Sequence, residues 1–72
     1  MPMELIQEFT GKLCRITMFN TEQALAVIVK TEGSWLKVEE NGQNKLINGD
    51  LIRSITEATE KEQEAHRKKF GR

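Results

Sequence analysis

Cys14 and His66 are the only thiol and the only imidazole in the chain. A nucleophilic pair needs the two groups within hydrogen-bond reach of each other. Cys14 sits in an apolar alternation, Leu13-Cys14-Arg15, whereas His66 sits far along in a charged run. Cys14 reads instead as a small buried hydrophobe. Glu39 and Glu40 are adjacent. On a strand they point to opposite faces and cannot share acid and base roles. The acidic cluster Glu57, Glu60, Glu62 and Glu64 reads as a solvated helix face. There is no Ser/His/Asp arrangement, no Gly-rich phosphate loop and no Cys/His spacing of a zinc site. The expectation is a protein that is not an enzyme, with no cofactor and no metal.

Binding chemistry has more to work with. Trp35 is the single tryptophan and follows a Gly-Ser bend. Such a ring serves as a core or subunit-contact residue, or as a platform on which a base stacks. Asn48-Gly49-Asp50 interrupts the most apolar run, Lys45 to Ile55. A polar break there is either a corner of the fold or a place where a ligand meets the backbone. Arg67-Lys68-Lys69-Phe70-Gly71-Arg72 is a basic end. It can contact phosphates or simply keep the chain soluble.

These residues need elements to hold them. Pro2 to Phe9 predicts a short helix, with Leu5, Ile6 and Phe9 on one side and Thr10-Gly11 as its stop. Lys12 to Phe19 alternates, with Cys14, Ile16 and Met18 pointing one way, which is a half-buried strand. Asn20 to Gln23 is a turn. Ala24 to Lys30 is a second strand, apolar on both faces at Val27-Ile28-Val29. After Glu32-Gly33-Ser34, Trp35 to Glu40 resumes, with Leu36 and Val38 inward and Trp35 and Lys37 outward. Asn41-Gly42 is a strong hairpin signal. Lys45 to Ile47 and Leu51 to Ile55 supply the last two strands. Gly49 reads as the residue whose conformational freedom permits the bend between them. Thr59 opens a final helix, with a Thr59/Glu62 capping box and Glu57/Lys61 and Glu64/Lys68 pairs. Only Ala65 is apolar between Glu60 and Lys69, so this helix is expected to be exposed, frayed or partly disordered.

The pattern is mainly β: five short antiparallel strands of a small barrel, with a short N-terminal helix and a charged C-terminal helix or tail. The 72 residues make one domain: a barrel over 1–57 and a tail over 58–72. Eleven basic and eleven acidic residues leave no net charge, hence no global basic field. A single cysteine and the lack of a secretory apolar stretch point to the cytoplasm. No apolar run approaches the roughly 20 residues of a membrane span. A core this small gains from oligomerisation.

The order of elements resembles the Sm-like fold, a small SH3-like barrel, including its bacterial Hfq-type members. Gly11-Lys12-Leu13-Cys14-Arg15-Ile16-Thr17-Met18 resembles the first Sm strand. Ile47-Asn48-Gly49-Asp50-Leu51-Ile52-Arg53-Ser54-Ile55 is similar to the second Sm motif. The resemblance spans Cys14 to Ile55. It implies a homo-oligomeric ring of six or seven subunits, in which the fourth strand of one pairs with the fifth of the next. It also implies single-stranded RNA as partner, with bases stacked on loop residues. Asn20, Trp35, Asn48 and Gly49 are then the candidate RNA contacts, and Arg67, Lys68 and Lys69 supply charge. The chain departs from the pattern at several places. Asn48 stands where Arg is usual, Asp50 adds an acid, and the loop reads Glu32-Gly33-Ser34-Trp35 where an Asp and an earlier aromatic are usual. Ala26 replaces a strand-bending Gly. Repeated around a pore, Asp50 repels phosphate. The other expectation is accordingly an SH3-like protein-interaction module with a protein partner and no nucleic acid.

Overall fold

A computed structural model describes residues 2–70 of the chain; Gly71 and Arg72 of the basic end lie outside the described residues. Helix α1 (Met3–Ile6) runs into a 3-10 turn at Gln7–Phe9. Five strands follow: β1 (Leu13–Met18), β2 (Gln23–Glu32), β3 (Trp35–Glu40), β4 (Gln43–Asn48) and β5 (Ile52–Glu57). Helix α2 (Glu60–Phe70) closes the described chain. All neighbouring strands are antiparallel, in one sheet of order β4-β3-β2-β1-β5.

The sheet is strongly curled. In a flat sheet the four steps from β4 to β5 would separate them by about 19 Å. The link between them is a single 3-10 turn, Gly49–Leu51, which rises only about 2 Å per residue. Ile47 of β4 and Ile52 and Ile55 of β5 accordingly join one buried cluster with Ile16, Ile28, Leu36 and Val38, and Ile6 of α1 covers it. Ladder bonds between β4 and β5 are absent among the described residues, so both remain sheet edges. Curling is helped by two bulges. One adds Val29 to β2 opposite β3, and the other falls between Thr17 and Met18 where β1 meets β5. The bulge corrects the reading of Val27-Ile28-Val29 as apolar on both faces. Ile28 is buried, whereas Val29 is the inserted residue and is exposed.

The inward and outward alternation on β3 holds: Leu36 and Val38 are fully buried, and Trp35 and Lys37 are exposed. Asn41 and Gly42 have φ of 52° and 81°. Two successive positive values are what a two-residue type I′ hairpin requires.

Gly49 corrects the expectation attached to it. Its φ is not in the left-handed range, and a Cβ there would stand 2.7 Å from Met3 Sδ and 3.2 Å from the Ser34 carbonyl oxygen. The bend needs glycine because α1 and the β2–β3 turn press against it, not because the backbone is unusual.

Thr59 and Glu62 form the reciprocal capping box. The Thr59 N–H donates to Glu62 Oε1 at 3.0 Å and the Glu62 N–H to Thr59 Oγ1 at 3.1 Å. Glu64 and Lys68 pair at 3.6 Å. Glu57 belongs to β5 and pairs with Lys12 at 3.3 Å, so the expected Glu57/Lys61 helix pair does not form. Helix α2 is tied down more firmly than its lack of an apolar face suggests. Glu62 forms an ion pair with Arg15 of β1, Gln63 Nε2 donates to the Ala58 carbonyl at 2.9 Å, and Ala58 is buried. No helix among the described residues is long and apolar enough to cross a membrane.

Candidate functional site

Strand β2 has ten residues and would span about 30 Å if straight. Asn20 precedes it and Trp35 follows it, yet both line one cleft of about 470 Å³. The curl of the sheet puts them there. One wall is the free edge of β4, from Lys45 to Asn48; the other is the β1–β2 turn and Leu51. The amide of Phe19 donates to the Leu51 carbonyl at 3.0 Å and joins the two parts of that second wall.

The cleft is apolar with a few polar donors. Phe19, Trp35, Leu46 and Leu51 are exposed by 64%, 49%, 63% and 59%, and all four line it. Apolar side chains therefore make up most of the cleft wall. Among the described residues the other exposed large hydrophobic side chains are Leu5 and Val29.

Glu22, Lys45 and two asparagines supply the polar groups, and each asparagine is fixed by its own turn. Asn20 Oδ1 accepts from the Glu22 N–H at 3.1 Å, and Asn48 Oδ1 accepts from the Asp50 N–H at 2.9 Å. Each oxygen is thereby anchored, and the NH2 of each carboxamide is left to donate. Thr21, between Asn20 and Glu22, has φ of 69°. A β-branched residue in that region is strained.

The structure brings together Asn20, Trp35 and Asn48. Gly49 lies beneath them, buried, its N–H donated to the Ser34 carbonyl at 2.7 Å. It shapes the site and offers no group to a ligand. Arg67, Lys68 and Lys69 are on α2 and line no part of this cleft. Lys69 instead borders a shallow cleft with Leu25 and Asn41. Phe19, Leu46 and Leu51 escaped the sequence reading as site residues. The available signal was Leu46, an apolar residue out of phase with Ile47 in a short strand.

Cys14 is buried, and its Sγ lies 3.4 Å from the Lys12 carbonyl oxygen. Burial, with Glu57 nearby and against the opposing influence of Lys12, pushes its thiol up to about 11. A buried thiol shifted in this direction is a poor nucleophile. Among the described residues no group of three or more His, Cys, Asp and Glu side chains could hold a metal ion. What the cleft can do is bind a flat, partly apolar group with hydrogen-bond acceptors on its rim. No family model, curated protein or solved structure matches this chain.

Proposed function

We propose that this chain is an Sm-like partly open barrel that forms homo-oligomers and binds single-stranded RNA. The observation that carries RNA binding is the convergence of an exposed indole and two pinned carboxamide NH2 groups on one cleft. A base stacks on Trp35, and the NH2 groups of Asn20 and Asn48 donate to its carbonyl or ring-nitrogen acceptors. Oligomerisation rests on the two free edges. An unpaired edge strand is a template for a second chain, and β4 and β5 are the two ends of the same sheet. Joining β4 of one subunit to β5 of the next gives a head-to-tail contact that closes into a ring when the rotation allows. Helix α2, with Arg67, Lys68 and Lys69, adds local positive charge near such a ring without touching the base. The lone cysteine suits a reducing compartment, the cytoplasm in this reading.

Solution mass tests the ring: six or seven protomer masses are expected, and a monomer overturns it. Short single-stranded RNA tests the ligand. Affinity is expected to fall linearly in log salt, with a slope of about 0.7 per phosphate contacted. A random RNA pool that yields no binder at low salt overturns RNA binding.

The exposed apolar cluster of Phe19, Leu46 and Leu51 favours a second reading, an SH3-like module whose cleft takes an apolar protein segment. A monomer that captures a protein partner after nuclease treatment, and binds no RNA, selects it.

A further inference from the structure

The outward face of β2, β3 and β4 is a grid of unlike side chains. Register places Glu32, Trp35 and Asn48 side by side across the three strands, and Lys30, Lys37 and Leu46 side by side in the next outward row. Rows two residues apart on a strand are about 7 Å apart. Lys30, Glu32, Trp35, Lys37 and Leu46 line a cleft of about 410 Å³, within the roughly 300–1,000 Å³ of small-ligand sites. Trp35 borders both this cleft and the one holding Asn20.

The lysine pair is unusual. Like charges directly opposite each other destabilise a sheet. Lys30 has Glu32 at 3.4 Å, whereas Lys37 has no ion-pair partner among the described residues. Two ammonium groups with one carboxylate between them leave a positive charge over, and a phosphate would satisfy it.

The upper row reads a base. On one side of Trp35 stands the Glu32 carboxylate, which only accepts hydrogen bonds. On the other stands Asn48, whose oxygen is occupied by the Asp50 N–H and whose NH2 donates. A base stacked on Trp35 is matched best when it offers donors on one edge and acceptors on another. Guanine does so, with N1–H and the N2 amino group on one edge and O6 and N7 on another. Adenine and cytosine bring one amino group each. Uracil brings a single N–H between two carbonyl oxygens, which a carboxylate repels.

We infer that this face is a guanine-selective nucleotide subsite, in which Trp35 stacks the base, Glu32 and Asn48 read its edges, and Lys30 and Lys37 hold the adjoining phosphate. The inference rests on the RNA-binding reading and names the nucleotide it prefers. An acidic peptide would share the lysines but not the carboxylate flank.

Trp35 is the only tryptophan, so its fluorescence reports this face alone, while the anisotropy of end-labelled RNA reports binding anywhere on the protein. The full chain is titrated with the RNA pentamers UUGUU, UUAUU, UUCUU and UUUUU. Quenching by UUGUU at about tenfold lower concentration than by UUUUU is expected. Glu32→Gln should bring these two within about threefold of each other. Lys37→Ala should weaken all four and lower the log-log salt slope by about 0.7. Equal affinity for all four pentamers, a guanine preference that survives Glu32→Gln, or anisotropy change without quenching overturns the subsite and leaves RNA binding standing. No change in either signal at low salt overturns both. Quenching by polyglutamate but by no RNA overturns both and identifies an acidic peptide as the occupant.

Discussion

Strand β3 has two unlike ends. At Glu40 the chain obeys every local rule. Asn41-Gly42 takes the two positive φ values of its hairpin, Lys45 pairs with Glu40 at 3.4 Å, and the nearby helix α2 has a complete capping box and a charge pair along its length. At Trp35 the rules are broken one after another. Thr21 holds a positive φ, Lys30 faces Lys37, large apolar side chains stand in solvent, and Gly49 has no room for a side chain. Local consistency is what makes a sequence specify a fold, and departures from it gather where function is carried. In the proposed function the Glu40 end builds the protein and the Trp35 end meets the ligand.

The largest effects should separate neighbours on β3. Leu36→Ala removes a fully buried side chain and should cost about 2–5 kcal/mol of stability. Trp35→Ala, one residue away, should change stability by only about 1 kcal/mol but remove a stacking platform worth about 1–3 kcal/mol per base. Denaturant midpoints and RNA affinity, measured on both, check this. Equal losses of stability would erase the distinction between the two faces of the strand.

Next come two glycines that differ in why they are glycine. Gly49→Ala should cost about 1–3 kcal/mol through overpacking, and Met3→Ala in that background should restore part of the loss, since Met3 Sδ is the nearest obstacle. Gly42→Ala should cost about 1 kcal/mol through its φ of 81°. Nothing lies within 4 Å of the added Cβ, so no neighbour can rescue it. A thermal-melt double-mutant cycle measures the difference. Rescue of neither, or of both, would contradict it.

The Glu40 end was legible in the sequence because its signals are local. Asn-Gly turns, the Thr59/Glu62 spacing and the alternation of Trp35 to Val38 act over a few residues. So does the reading of Trp35 as outward. The Trp35 end depends on residues far apart in the chain. That Asn20 meets Trp35 requires the curl of β2, and that curl needs the bulge at Val29, which looked like an ordinary apolar run. Lys30 and Lys37 become neighbours only through the register of the β2–β3 hairpin. Gly49 was read as a flexible corner because the approach of Met3, forty-six positions away in sequence, leaves no local trace. The ion pair from Arg15 to Glu62 is equally non-local, and it ties the start of α2 to β1 while most of the helix stays exposed, as its polarity predicts.

The smallest effects should have opposite signs at the two ends. Thr59→Ala removes a satisfied capping box and should destabilise by about 1 kcal/mol. Thr21→Gly relieves a left-handed β-branched residue, a gain of about 1–2 kcal/mol, offset by about 0.5–1 kcal/mol of added freedom in the unfolded chain. The net should be a stabilisation of about 0.5 kcal/mol. The same change loosens the turn that pins Asn20, so RNA affinity should fall as stability rises, the usual trade between a relaxed site and a working one. Urea midpoints and anisotropy titrations on the two variants read both quantities. If Thr21→Gly destabilises the fold, the left-handed threonine is not stored strain, and the Trp35 end loses one of the departures that set it apart.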